Sequence, residues 1–303
     1  MGAELENRGD EGRLNSTPPG IKVPIIYLGL SVVIAALVAF SSYLGIFVGS
    51  TYARETADWA TQARAQDMAN IVGIIVLLTS AYFVSKRSTK GVLIWGGSLL
   101  FLTYTFVIYT FAVHYNSFFL LYVATLGLTV YTFLGGVLRL DFDQVKALST
   151  VGSKSRRAVS IYLFISAVVF YLLWLSEDVP ALLNNTAPAS VGQSGLLVNP
   201  VHVLDLGLYL PAMIIASVSL WRSRALGYTF SIPLLIFSAL TGLGILIIDY
   251  LSGAIVSALP QEIFVGTLVI ASVILTWLYL RKVTSKRLAT ETGGQRFHPQ
   301  LAH

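Results

Sequence analysis

Eight apolar stretches, each long enough to cross the hydrocarbon layer of a bilayer, limit what this chain can fold into. They run at 22–49, 69–85, 91–113, 117–138, 158–176, 200–221, 225–249 and 258–280, and a helix needs roughly 20 residues to cover about 30 Å. Backbone in lipid must satisfy its own hydrogen bonds, so stretches of this length read as helices. The expectation is an all-α polytopic membrane protein with about eight transmembrane helices. Only 12% of the residues are charged and 55% are hydrophobic, whereas soluble domains carry about 25% charged residues. Eight spans in 303 residues leave no room for a sizeable soluble domain.

The direction of the helices follows from lysine and arginine, which are retained on the cytoplasmic side. With the N-terminus inside, the inner segments hold 18 of the chain's 20 basic residues and the outer segments only Arg54 and Arg64. A missed or extra span would scramble that alternation, so both termini are expected in the cytoplasm. Residues 1–21 read as a polar, Gly/Pro-containing cytoplasmic tail, 22–282 as the transmembrane domain and 283–303 as a second tail. The basic connection 139–157 separates two four-helix halves, 22–138 and 158–282. Both halves start on the same side, so a duplication relating them would be of the parallel kind. The first outer connection, TYARETADWATQARAQDMAN, has mixed charge and reads as an amphipathic helix lying on the surface.

Several functions are struck out. The chain has no cysteine, which removes disulfides, thiolate nucleophiles, Fe–S clusters and Cys-ligated zinc. Apart from Lys22 at the inner edge of the first stretch no lysine lies in a span, so a retinal Schiff base is not expected, and no arginine does either, which argues against a voltage sensor. Glycine-rich nucleotide loops, HExxH and GxSxG are absent. The net charge of +5 is distributed by membrane side rather than on one face, so it points to topology and not to nucleic acid.

Ionisable groups at span ends are the functional candidates, because each costs roughly 2.5–3.5 kcal/mol to place in the bilayer centre. They gather at the outer ends: His114 closes the third span, Glu177 and Asp178 the fifth, Asn199 and His202 open the sixth with Asp205 a turn deeper, Asp249 closes the seventh and Glu262 opens the eighth. In Asn199-Pro200-Val201-His202-Val203-Leu204-Asp205, an N-cap residue and a first-turn proline start a helix. His202 and Asp205 then share a face. His114, Glu177, His202 and Asp205 form a candidate ligand set for a divalent metal, and His114 with His202 a candidate pair of haem axial ligands. HxxD lacks the spacing of a recognised zinc motif. The alternative is that His202 and Asp205 hydrogen-bond to each other or to backbone at a helix end. Tyr104, Tyr109, Tyr115, Tyr122 and Tyr131 are candidates to line a pore or ligand pocket, with interfacial belt or packing the favoured reading. Pro211 and Pro233 mark candidate kinks.

The segment WLSEDVPALL, followed by NPVHVLDLGLYLPAMIIASVSLWRSRALGY, resembles a group of multi-pass bacterial and archaeal membrane proteins generally described as uncharacterised. The likeness covers chiefly the fifth to seventh spans and picks out Glu177, Pro180, Asn199, His202, Asp205 and Pro211. It implies a prokaryotic cell membrane and no particular activity. Three readings stay open: a transporter or solute- and ion-binding protein with a polar site at the outer leaflet; an outward-facing metal- or haem-dependent enzyme acting on a lipid-like substrate; and a non-catalytic sensor or assembly subunit.

Overall fold

The computed structural model describes residues 21–253 and 259–284. The two expected tails, at 1–20 and 285–303, and residues 254–258 of the last outer turn lie outside the described residues. The helices are α1 (Ile25–Phe47), α2 (Ala57–Ser85), α3 (Thr89–Ala112), α4 (Phe119–Val137), the short α5 (Phe142–Ala147), α6 (Ser153–Leu183), the short α7 (Ala189–Ser194), α8 (Pro200–Trp221), α9 (Ala225–Leu251) and α10 (Leu259–Leu280). All but α5 and α7 are long and apolar enough to cross a membrane.

Packing divides the spans into two closed rings of four. α1 packs on α2, α2 on α3, α3 on α4 and α4 back on α1; α6, α8, α9 and α10 close a second ring in the same order. α9 joins the rings by packing on α2 and α3. Gly97 of α3 sets that approach, because an added Cβ would lie 2.6 Å from Ile236 Cβ and 2.8 Å from the Pro233 carbonyl oxygen. Small residues admit such backbone contact where lipid supplies no hydrophobic drive between helices.

The connections sort onto two sides. On the basic side, Arg139 lies over the Tyr27 ring at the start of α1, Thr150 N–H donates to the Lys282 carbonyl beyond α10, and Val283, expected in the tail, is buried. On the opposite side, Arg54 donates to the Tyr115 carbonyl and Thr56 to the Ser194 carbonyl, tying three connections together.

Two tight hairpins on the basic side are built alike. α2 ends with Arg87 at φ 59° and α8 with Ser223 at φ 56°. In the first, Ser88 N–H donates to the Phe83 carbonyl and Arg87 N–H to Val84; in the second, Arg224 donates to Ser219 and Ser223 to Leu220. Both are Schellman closures with a left-handed residue just past the cap. Three residues on from Ser88 and Arg224, Gly91 and Gly227 let the next helix lie against the last turn of its predecessor.

Two helices exceed their apolar stretches. α2 starts at Ala57, so the segment expected to lie on the surface is the first three turns of a span. Thr56 caps it by accepting from Trp59 N–H, and the Trp59 indole donates to the Ala112 carbonyl at 3.0 Å. α6 continues to Leu183 and carries Glu177 and Asp178 inside it rather than at its end. It stops at Asn185, φ 50°, where Thr186 N–H donates to the Ala181 carbonyl. The Asn-Asn-Thr sequence therefore forms a helix terminus.

Candidate functional site

Backbone chemistry places the site. At the start of α8 the Asn199 side-chain oxygen accepts from the N–H groups of Val201 (3.0 Å) and His202 (3.4 Å), satisfying donors that a helix start leaves free. Twelve residues beyond Asn199, Pro211 brings no N–H to the helix. The chain answers with a π turn over Asp205–Tyr209, in which Leu210 N–H reaches back five residues to the Asp205 carbonyl. The carbonyl that Leu210 would otherwise have engaged, that of Leu206, accepts the Tyr171 hydroxyl of α6 at 3.1 Å instead. Single π turns of this kind recur at functional sites.

Asp205 is the first residue of that turn, and it is buried. Its Oδ1 accepts the Tyr104 hydroxyl of α3 at 3.0 Å and its Oδ2 the Trp174 indole N–H of α6 at 2.8 Å. Trp174 has a second role, because its ring lies against the His202 imidazole with centroids 4.4 Å apart and planes inclined by 31°. His202 is itself buried. Its Nδ1 meets the two Asp178 carboxylate oxygens at 3.0 and 3.1 Å, and its Nε2 lies 3.8 Å from Glu177 Oε2. Both carboxylates are about 30% exposed (Glu177 30%, Asp178 29%). The site thus runs from two surface-reaching carboxylates to an imidazole, across an indole, to a buried carboxylate. Of the two carboxylates only Asp178 is within hydrogen-bond reach of the imidazole, and it orients the ring; Glu177 stands off at ion-pair distance. Among the described residues no lysine or arginine is paired with Asp205.

The connection 184–199 folds over this set. Glu177 Oε1 accepts from Ser190 N–H at 2.8 Å, and Asn199 donates to the Ser190 hydroxyl at 3.2 Å. Glu177, Asp178, Asn199, His202 and Asp205, grouped from the sequence, are therefore brought together. The other candidates are not. His114 pairs with Glu55 of the 48–56 connection, Nδ1 to Oε2 at 2.7 Å, and Asp249 meets Gln261 and Glu262 at the α9–α10 end. With His114 elsewhere, the four residues considered as metal ligands do not converge, nor do His114 and His202 face one another as axial ligands. No three His, Cys, Asp or Glu side chains among the described residues form a group able to hold a metal ion.

Sequence reasoning missed Trp174 and Tyr104 as partners of Asp205, and it passed over Asp67, a second carboxylate buried in α2. Of the tyrosines read as belt or packing, Tyr109 and Tyr122 are buried, while Tyr115 and Tyr131 face outward.

The eight apolar helices and their internal polar groups define an all-α, multi-pass membrane protein. Comparison with protein-family models, with curated proteins and with solved structures finds no match to the chain.

Proposed function

We propose that this protein binds, and carries inward, a small cation or basic solute taken from the side opposite its basic connections. In this reading Glu177 and Asp178 attract the solute, His202 exchanges protons with them, and Asp205 is the acceptor group within the bundle. The observation that supports it is Asp205 itself: a carboxylate buried in a span, held by two neutral donors and, among the described residues, paired with no lysine or arginine. A buried ionisable group in a span is costly and marks a pathway by default. The positive-residue count and the resemblance of the α6–α9 region support a prokaryotic cell membrane with both termini in the cytoplasm.

The test is transport by the full chain in vesicles of neutral lipid with a pH-sensitive dye inside. Sodium, potassium, magnesium, methylammonium and guanidinium are offered in turn. One of them is expected to drive proton movement that is lost in Asp205→Asn and weakened in His202→Gln. Silence with all five, or equal movement in Asp205→Asn, overturns the reading. One contact favours a second reading: an imidazole oriented by Asp178 at 3.0 Å is the arrangement of a general base, which would serve a membrane enzyme. That reading requires lipid turnover without any gradient.

A further inference from the structure

A second carboxylate is sunk in the other ring of helices. Asp67, in the third turn of α2, has no exposed surface. Its Oδ2 accepts the Tyr52 hydroxyl at 2.6 Å and its Oδ1 the Tyr109 hydroxyl at 2.9 Å. Ser42 of α1 and Asn70 of α2 lie beside the same carboxylate, and Ser42 Oγ and Asn70 Nδ2 are buried there without a hydrogen-bond partner. Tyr122 of α4 stands edge-on to Tyr109 at 5.3 Å. The groups around Asp67 thus come from α1, the 48–56 connection, α2, α3 and α4, and the titratable ones among them are three phenols.

The two phenol donors suit an ionised carboxylate, which only accepts. The protonated acid is also accommodated, because the Ser42 hydroxyl can turn to accept from it. A metal ion is excluded by space. An added Cβ at Gly45 would lie 1.7 Å from Asp67 Oδ2 and 2.8 Å from Tyr52 Oη, so the α1 backbone closes over the carboxylate. A metal needs about six oxygen ligands at roughly 2.0–2.6 Å, arranged all round it. The cation that fits is a proton.

We propose that Asp67 is a reversible proton-binding site inside the bundle, loaded and unloaded past Tyr52 from the side of the 48–56 connection. Burial, and after it the Asp67 carboxylate, pushes the Tyr52 phenol well above its ordinary value, so Tyr52 stays a donor throughout. Protonation weakens the bond that Tyr52 makes and loosens its connection. That connection holds two others on its side, through Glu55 to His114 and Thr56 to Ser194.

The test is infrared difference spectroscopy on the full chain in lipid vesicles, with carbon-13-labelled aspartate, over the range from about pH 5 to 9 in which buried carboxylates titrate. A carboxylic-acid carbonyl band should grow as the pH falls, be missing in Asp67→Asn and persist in Asp205→Asn. Tyr52→Phe keeps the shape and removes a donor to the ionised form, so it should raise the midpoint by about one pH unit. It also carries the test should Asp67→Asn not fold. No Asp67-dependent band over the range, or an unmoved midpoint in Tyr52→Phe, overturns the proposal.

Discussion

Replacing Gly45 with alanine tests the packing that isolates Asp67. Its Cβ would sit 1.7 Å from Asp67 Oδ2, a distance no real contact allows, so either α1 must shift or the carboxylate must turn away. Overpacking of this kind costs about 2 kcal/mol, and losing one bond from a tyrosine to a carboxylate adds about 1.5 kcal/mol. Against these stands the gain of about 1 kcal/mol from alanine over glycine in a helix, leaving a net loss of about 2.5 kcal/mol. Gly29, on the same helix, is the control, since nothing lies within 4 Å of a Cβ added there. Gly29→Ala keeps the helix gain without the clash, so the two variants should differ by about 3.5 kcal/mol. At roughly 2 °C per kcal/mol for a chain of this size, that is about 7 °C in thermal midpoint. Tryptophan fluorescence during a thermal scan in mild detergent reads the difference. Equal midpoints would refute the close approach of α1 to Asp67, and with it the exclusion of a metal ion.

Trp174→Phe keeps a ring against His202 but removes the indole N–H from Asp205; a drop of about 2 kcal/mol is expected for a lost bond to a buried carboxylate, read in the same thermal scan. Ser223→Gly relieves a left-handed residue at φ 56° and should raise stability by about 0.5–1 kcal/mol; no change would mean that the turn is unstrained. Elemental analysis and a visible spectrum of purified wild type and His202→Ala should agree, because His114 is engaged with Glu55. Near-stoichiometric metal or haem that disappears with His202 would overturn this placement.

The eight spans and their alternation were legible because hydropathy and the retention of basic residues are both read along one dimension. Helix ends were less so. Hydropathy falls away before residue 69, yet α2 begins twelve residues earlier because alanines carry its buried stripe. Ala60, Ala63, Asp67, Asn70, Ile74, Leu77, Ala81 and Val84 are all buried, at spacings of three and four that place them on one face. The stripe was there to be read, and Asp67 lies on it. The Asn199–His202 helix start was legible because a cap is a local pattern. Trp174 and Tyr104 were not, since they reach Asp205 from two other helices. His114 was grouped with His202 by depth alone, and depth says nothing about which way round the bundle a side chain lies.

The matched hairpins on the basic side bear on how the chain enters a membrane. Each joins two spans through only three residues, 86–88 and 222–224, so its two helices must be threaded together. Turning the first hairpin over would drag Lys86, Arg87 and Lys90 through the hydrocarbon, at about 2.5–3.5 kcal/mol for each charge at the centre. The second carries Arg222 and Arg224 and resists in the same way. Orientation is thus set independently in each half, and loss of the first span should leave a frustrated insertion product rather than an inverted protein.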